Sequence, residues 1–255
     1  MTRALDHIVM AMPDLAAACQ SCLDAGFQLT PQAFHQADMG TTNRLIQLQD
    51  RSFIELLTVD RPAGIRPHEN PFFSFGQHNQ DFLANRQGAS MLVMQTTDAA
   101  RDQAHFAANG SNYSLFAFGR DAQRPDGSVK KVGFRLAFTT SPALPGLAFF
   151  VCENQYPENF WQPALQTHPN GAAGIRRVVI ETNAPHDAAQ WFADMFGGAK
   201  ADDGDGSLVR LAADQQVQFT AGGGRQAVIS RIDIAAPGAA CSVIKLGETA
   251  VHLVA

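Results

Sequence analysis

Apolar and polar positions alternate over short segments of this chain, and stretches with a helical pattern that ends in glycine follow some of them. Period-two alternation is typical of strands, and a glycine after a helical pattern is typical of a helix end. The N-terminal part predicts one βαβββ unit. Its predicted elements are a strand from residue 5 to Pro13, a helix over residues 15–26, and strands over residues 27–30, 43–49 and 52–59.

The same order of patterns recurs along the chain, which is the sequence signature of an internal repeat. The second unit is predicted as a strand over residues 89–96, a helix over 98–108 and strands over 114–120, 129–139 and 147–153, with a turn at 124–127. The third is predicted as a strand over 175–182, a helix over 186–196 and strands over 208–211 and 216–220. Residues 227–236 and 243–254 predict strands without a helix, which indicates a degraded fourth unit.

These patterns predict an α+β fold in which tandem βαβββ modules form a cup-shaped mixed sheet, with a second, partial copy at the C-terminus. We place the paired modules at residues 1–156, a connecting segment at 157–174 and the partial copy at 175–255. The connection over residues 61–87 contains three prolines and an aromatic cluster. It is therefore expected to be ordered and to pack on the core.

The charge pattern bounds the class of partner. The chain has a net charge of −5 and no run of Lys or Arg, which argues against nucleic acid or an anionic membrane surface. No stretch approaches the roughly 20 apolar residues of a membrane span. A strand pattern that begins at residue 5 leaves no room for a signal peptide, so the four cysteines are expected to be reduced thiols. We expect a cytoplasmic monomer or homodimer with a small-molecule ligand.

Strand parity predicts a cup on the side of the sheet opposite the helices, because successive side chains of a strand point to opposite faces. The predicted cup residues are Val9 and Ala11 with the polar side chains His7, Asn43, Gln47 and Glu55. Burying a carboxylate or an unpaired imidazole is costly unless a metal, a charge or a ligand compensates it. Two structural alternatives stay open: an imidazole bonded to a backbone carbonyl, and an ion pair of Glu55 with Arg120 or Arg135.

Four sequence runs carry a resemblance to a known family. They are MGTTNRL at residues 39–45, FIELL at 53–57, FFVCENQYPENFW at 149–161 and HPNG at 168–171. Together they resemble the glyoxalase-like domain proteins of the vicinal-oxygen-chelate superfamily, which includes glyoxalases, bleomycin resistance proteins and extradiol dioxygenases. The resemblance implies paired βαβββ modules that form a cup, with metal ligands on the first and last strands of each module.

The family's metal-ligand positions correspond to His7 and Glu55 in the first module and to about Met91 and Cys152 in the second. Two departures stand out. Met91 is a poor ligand for a hard divalent ion, and Asn154 stands where family members commonly carry histidine.

In the third unit the ligand places fall on Arg177 and Gln218, which implies a structural role for the C-terminal half.

The resemblance and the predicted cup together give a candidate site. The predicted ligands of a divalent ion (Zn, Fe, Mn or Ni) are His7, Glu55 and Cys152. The candidates for moving a proton are Glu55 and His35, and the candidates for binding substrate are Thr41, Asn43, Gln47, Arg120 and Arg135. The resemblance implies a metal-assisted isomerase, lyase or dioxygenase that acts on a small oxygenated metabolite. The alternative is a metal-free protein that binds or sequesters a small molecule in the same cup.

Overall fold

A computed structural model describes residues 2–123, 127–238 and 240–255. The first unit consists of β1 (Leu5–Ala11), α1 (Leu15–Asp24), β2 (Ala33–Phe34), β3 (Thr41–Gln47) and β4 (Phe53–Val59). The βαβββ order is confirmed, but a strand at residues 27–30 is wrong. The backbone N–H of Gln28 donates to Nδ1 of His168 at 2.9 Å instead of to a neighbouring strand. The second strand of the unit is the short β2.

The second unit begins after a helix that the sequence pattern did not predict. This helix is α2 (Phe75–Leu83), and Ser74 caps it by accepting a hydrogen bond from the Gln77 N–H at 3.0 Å. Because its buried Phe75 and Phe82 pack into the interior, the expected ordered connection is confirmed. The elements that follow are β5 (Gly88–Gln95), α3 (Ala99–Ala108), β6 (Phe116–Gln123), β7 (Val129–Thr139) and β8 (Ala148–Asn154). Residues 124–126 of the predicted turn lie outside the described residues.

The third and fourth units follow a short helix, α4 (Pro157–Phe160). The third consists of β9 (Gly174–Thr182), α5 (Pro185–Phe196), β10 (Ala199–Asp203), β11 (Gly206–Arg210) and β12 (Gln216–Ala221). The fourth consists of β13 (Val228–Ala235), β14 (Ser242–Leu246) and β15 (Thr249–Val254), with no helix among its described residues. The strands predicted within residues 243–254 are β14 and β15, and Gly247, with φ of 64°, turns the chain between them.

The strands of the described residues form one 15-stranded mixed sheet. In the N-terminal half, β1 pairs parallel to β4 and antiparallel to β5, and β5 pairs parallel to β8. In the C-terminal half, β9 pairs in the same way with β12 and β13, and β13 pairs parallel to β15. The two halves meet where Ile229 of β13 pairs with Ala89 of β5. The tandem, cup-forming architecture is therefore confirmed, whereas the division at residues 157–174 stays a prediction.

The two faces of the sheet carry different apolar clusters. Ile8, Met10 and the residues packed under the helices form the main core, and Val9 belongs to a second cluster on the concave face. This confirms the predicted parity of β1 at these positions. Ala11 is the exception, because it belongs to the helix side. The pairing of β1 with β5 shifts register between Val9 and Met10, which breaks the simple alternation beyond that point. No helix in the described ranges has the length and hydropathy needed to cross a membrane.

One consequence of the fold is a pH-dependent stability that originates at His78 of α2. Burial lowers the pKa of His78 to about 4, although its hydrogen bond with the Ser90 carbonyl oxygen opposes the shift. Unfolded histidine titrates near pH 6.5, so the unfolded chain takes up this proton first as the pH falls. The stability that neutral His78 contributes is thus lost between pH 6.5 and 4.

The free energy of unfolding of the wild type should fall as the pH is lowered from 7 to 4.5. In His78→Gln we expect it to fall by about 2–3 kcal/mol less. Urea unfolding at the two pH values measures the difference. Exposed His186 supplies the control variant, His186→Gln, which should keep the wild-type dependence. Equal pH dependence of His78→Gln and the wild type would show that His78 is already protonated or solvated in the folded state.

Candidate functional site

The concave face of the N-terminal half holds a cavity of about 50 Å³. Aromatic side chains supply much of its wall, and the rings that line it are Phe53, Phe75, Phe118, Phe134, Phe150 and Phe160. Five polar or charged residues also line it, namely His7, His35, Asn43, Glu55 and Arg120. The structure therefore brings together these five predicted site residues and a sixth, the predicted ligand Cys152, in one largely apolar hollow.

Glu55 is the centre of the polar group. Nδ2 of Asn43 donates to its Oε1 at 2.5 Å, and Nε2 of His35 lies 3.4 Å from the same oxygen. Nε2 of His7 lies 3.7 Å from the other carboxylate oxygen, Oε2. The parallel pairing of β1 with β4 produces this arrangement. Val9 of β1 lies beside Glu55 of β4, and His7, two residues before Val9, points to the same face of the sheet. A carboxylate thus lies between two imidazoles, and all three side chains are sheltered from water.

His7 is fixed by a second carboxylate. Its Nδ1 lies 2.6 Å from Oδ1 of Asp6, so the Nδ1–H donates to that carboxylate and Nε2 is directed towards Glu55. The imidazole also stacks on Phe53, with ring centroids 4.2 Å apart. Sequence parity missed Asp6, because neighbours on a strand are expected to face opposite sides. The buried Asp6 side chain nevertheless reaches the edge of the adjacent ring, and this contact restricts both the tautomer and the rotation of His7.

His35 enters the site from β2 and the loop after it rather than from a long strand. Its Nδ1 lies 2.8 Å from Oγ1 of Thr41, and its ring makes edge contacts with Phe75 and Phe118. Burial lowers the pKa of His35, and the attraction of Glu55 offsets only part of this effect. His35 is therefore neutral at pH 7. It can accept or relay a proton, but it does not form a permanent ion pair with Glu55.

Two groups on the cavity wall offer contacts for a ligand. Arg120 of β6 lines the cavity, and burial lowers the pKa of its guanidinium group while the charge of Glu55 opposes that shift. Oδ1 of Asn43 is buried and has no hydrogen-bond partner among the described residues. An unsatisfied buried acceptor costs about 1–3 kcal/mol, so a ligand that donates a hydrogen bond to this oxygen would recover that free energy. The site can thus hold an anionic oxygen at Arg120 and a donor group at Asn43.

Three predicted substrate-binding residues lie outside the cavity lining. Thr41 contacts Nδ1 of His35 through its hydroxyl group. The side chain of Gln47 donates to the Phe160 carbonyl at 2.9 Å and accepts from the Gln162 N–H at 3.1 Å, so it anchors the segment that carries Phe160.

Arg135, the third, pairs with Glu153, its cross-strand neighbour on β8, at 3.3 Å. The suggested Glu55–Arg135 ion pair is therefore wrong.

The donor set of the cup does not fit the metal centre that the resemblance implies. Within the described residues, no three His, Cys, Asp or Glu side chains are arranged to hold a metal ion. Strand pairing gives the second module either Met91 with Phe150 or Val93 with Cys152 at the places that correspond to His7 and Glu55. Burial raises the pKa of the Cys152 thiol well above its ordinary value, so this sulfur is protonated without a bound metal ion.

The comparisons with known proteins agree with this architecture. The model of a family described as "Glyoxalase-like domain" matches residues 5–196. A hypothetical protein from Staphylococcus aureus has 15% sequence identity and a TM-score of 0.79, and the match covers 98% of each chain. The Mn(II)-bound glyoxalase from Novosphingobium aromaticivorans has 11% identity and a TM-score of 0.50, over 92% of this chain and 66% of that one. These two structures share the fold. No curated protein matches the sequence.

Proposed function

Since this chain belongs to the glyoxalase-like domain family, we propose that its N-terminal cup is the active site of an enzyme that moves a proton on a small oxygenated molecule with an apolar body. The observation that supports the proposal is the position of Glu55, a buried carboxylate with an imidazole on each side and aromatic rings around it. Such a group is suited to general acid–base catalysis, because the apolar surroundings keep water from competing for the proton.

In the proposed step, Glu55 accepts a proton from the carbon next to a carbonyl group. The electron pair of the C–H bond forms a carbon–carbon double bond, and the carbonyl oxygen takes up the negative charge. Arg120 stabilises this oxygen, and His7 or His35 holds the proton while the intermediate rearranges. Return of the proton to a carbon or an oxygen completes an isomerisation and restores the Glu55 carboxylate.

The cavity also limits the substrate. Its volume of about 50 Å³ is far below the 300–1,000 Å³ of pockets that enclose drug-sized ligands. The aromatic wall favours a flat apolar group that can stack on it, and Arg120 favours a carbonyl or carboxylate oxygen. We therefore propose a small substrate with one planar group, which enters the cup by displacing phenylalanine side chains of its wall.

The same cavity supports a second candidate function, metal-free binding without turnover. The unpaired Oδ1 of Asn43 favours it, because a hydrogen-bond donor on any bound ligand would satisfy that atom. The metal-assisted reaction implied by the resemblance stays a prediction, and assays with EDTA and with added Mn(II) or Zn(II) test it directly.

Phenylpyruvate is a suitable probe, because it combines an aromatic ring, a carbon acid beside a carbonyl, and a carboxylate. We expect the protein to accelerate exchange of its methylene hydrogens for deuterium in D2O, followed by proton NMR. Arg120→Gln should weaken binding about tenfold, as expected for loss of one charge-assisted contact. The exposed Arg101 supplies the control, because Arg101→Gln removes the same charge elsewhere and should change nothing.

The outcomes separate the candidates. Accelerated exchange that depends on Arg120 supports the enzyme. Saturable binding without exchange, across phenylpyruvate and smaller keto acids, rejects the proton-transfer enzyme in favour of the binding protein. Absence of both binding and exchange overturns the assignment of this cup as a site for such molecules.

A further inference from the structure

The C-terminal half repeats the strand register of the N-terminal cup. In the first half, His7 lies opposite Val93, and Val9 lies opposite Met91. In the second half, Arg177 lies opposite Asp233, and Val179 lies opposite Arg231. The next strand in each half repeats this register. Val93 of β5 lies beside Phe150 of β8, and Asp233 of β13 lies beside His252 of β15. The positions held by His7, Glu55, Met91 and Phe150 in the first cup are thus held by Arg177, Gln218, Arg231 and His252 in the second.

These positions carry a charge pattern opposite to that of the first cup. The Asp233 side chain is only 4% exposed, and it accepts hydrogen bonds from Nε of Arg177 at 2.7 Å and Nε of Arg231 at 2.5 Å. Two guanidinium groups share this one carboxylate, which leaves one positive charge in excess. Nη1 of Arg177 lies 3.4 Å from Oε1 of Gln218. Within the described chain, the terminal nitrogens of Arg231 have no hydrogen bond.

The arginines are held in place but remain accessible. Their side chains are 32% and 38% exposed for Arg177 and Arg231, respectively, whereas His7 and Glu55 of the first cup are each 6% exposed. Asp233 fixes the Nε edge of each guanidinium group, so the terminal nitrogens of Arg231 can bind a further acceptor without a large loss of side-chain freedom. Arg177 can join them if the acceptor replaces its 3.4 Å contact with Gln218. The cluster is therefore preorganised for a ligand that reaches it from solvent.

We propose that Arg177, Arg231 and His252 form a second binding site, specific for a small oxyanion such as a carboxylate or phosphate group. A planar or tetrahedral oxyanion can accept hydrogen bonds from both guanidinium groups, which is the geometry that arginine recognises best. It also neutralises the excess charge left by Asp233. The proposal does not depend on the function of the first cup, and it competes with the prediction that the C-terminal half is only structural.

Other charged and titratable groups also face this arginine cluster. Asp203 accepts a hydrogen bond from Nε2 of Gln218 at 2.9 Å, so the β12 side of the cup is acidic and the β13 side is basic. Burial lowers the pKa of His252, and Arg231 lowers it further while Asp233 opposes the shift. His252 is therefore neutral at pH 7. A bound anion would partly cancel the effect of the arginines and raise its pKa.

Inorganic phosphate and sodium acetate are the probes, titrated by calorimetry at an ionic strength kept constant with sodium chloride. We expect saturable binding of at least one, and an upward shift of the His252 pKa measured by NMR of its imidazole. Arg231→Gln should weaken binding about tenfold or more. The matched control is Arg176→Gln, because Arg176 is exposed and contacts the Ala213 carbonyl instead of the cluster.

The two anions distinguish a phosphate ligand from a carboxylate ligand. Arg231→Gln leaves Asp233 paired with Arg177, and Arg231→Lys, which keeps the charge but loses the paired donors, should bind more weakly than the wild type. Thermal unfolding of each variant checks that the fold is intact. Failure of both anions to bind, or equal binding by the wild type and a folded Arg231→Gln, overturns the second site. Neither result bears on proton exchange in the first cup.

Discussion

Glu55→Gln is expected to lower the rate constant for proton exchange by roughly 10²–10⁴-fold, the range typical of a lost general acid–base group. Glutamine keeps the shape of the side chain, and its Oε1 can still accept the hydrogen bond from Asn43 that Glu55 accepts at 2.5 Å. It cannot take up the substrate proton. The affinity for phenylpyruvate should therefore change little, and kcat should fall much more than KM changes. Exchange measured by NMR over a range of substrate concentrations gives both constants.

The exposed Glu69, whose side chain is 77% accessible, provides the matched control. Glu69→Gln removes the same charge and should retain full activity. Glu55→Asp retains a carboxylate but withdraws it from the cavity, so intermediate activity is expected. If folded Glu55→Gln exchanged protons at the wild-type rate, Glu55 would not be the base, and the proposed chemistry would fail even though the cavity is correctly placed.

Strand parity was sufficient to predict the centre of this site. His7, Asn43 and Glu55 belong to strands long enough for alternation to separate the helix side from the cup side, and the register of β1 with β4 then brings them together. Parity also placed Gln47 in the cup. That prediction did not anticipate that α4 would cover this end of β3, where the Phe160 carbonyl and the Gln162 N–H bind the Gln47 amide.

The remaining parts of the site depend on contacts that are distant in sequence. His35 lies next to a strand of two residues, too short to show a period, and Phe75 and Phe118 from other parts of the chain hold its ring. The sequence analysis named His35 as a loop residue that could move a proton, but the pattern does not show which side chains hold its ring. Similarly, β10 shows no apolar alternation because all five of its residues are exposed, so its place in the sheet comes from pairing with β11.

The equivalence of the two cups was partly accessible from sequence. The third unit's Arg177 and Gln218 were identified as the counterparts of His7 and Glu55, and the registers of β9 and β12 agree with that assignment. The pattern could not show that Asp233 and Arg231 lie beside Arg177, because that depends on how the degraded fourth unit pairs with the third.

Phe149→Ala is expected to lower the free energy of unfolding by about 3–5 kcal/mol, the range for removal of a buried phenylalanine side chain. Phe149 lies on β8 in the second unit and is fully buried. Its ring packs against Trp191, Phe192 and Phe196 of α5 in the third unit, with centroids 5.1, 6.1 and 6.2 Å away. Urea unfolding at pH 7 measures the loss. Phe34→Ala, at a ring that is 56% exposed, is the control and should cost less than about 0.5 kcal/mol.

The same variant tests whether residues 157–174 separate two independently stable domains. Because Phe149 joins a strand of the second unit to the helix of the third, its loss should weaken both halves together, with one cooperative transition in the wild type and in the variant. Phe192→Ala, which removes a partner of that ring from the α5 side, should have an effect of similar size. Two separate transitions, with only the N-terminal one shifted by Phe149→Ala, would show that this aromatic contact adds little coupling. The two halves would then fold as the independent domains that the sequence pattern predicts.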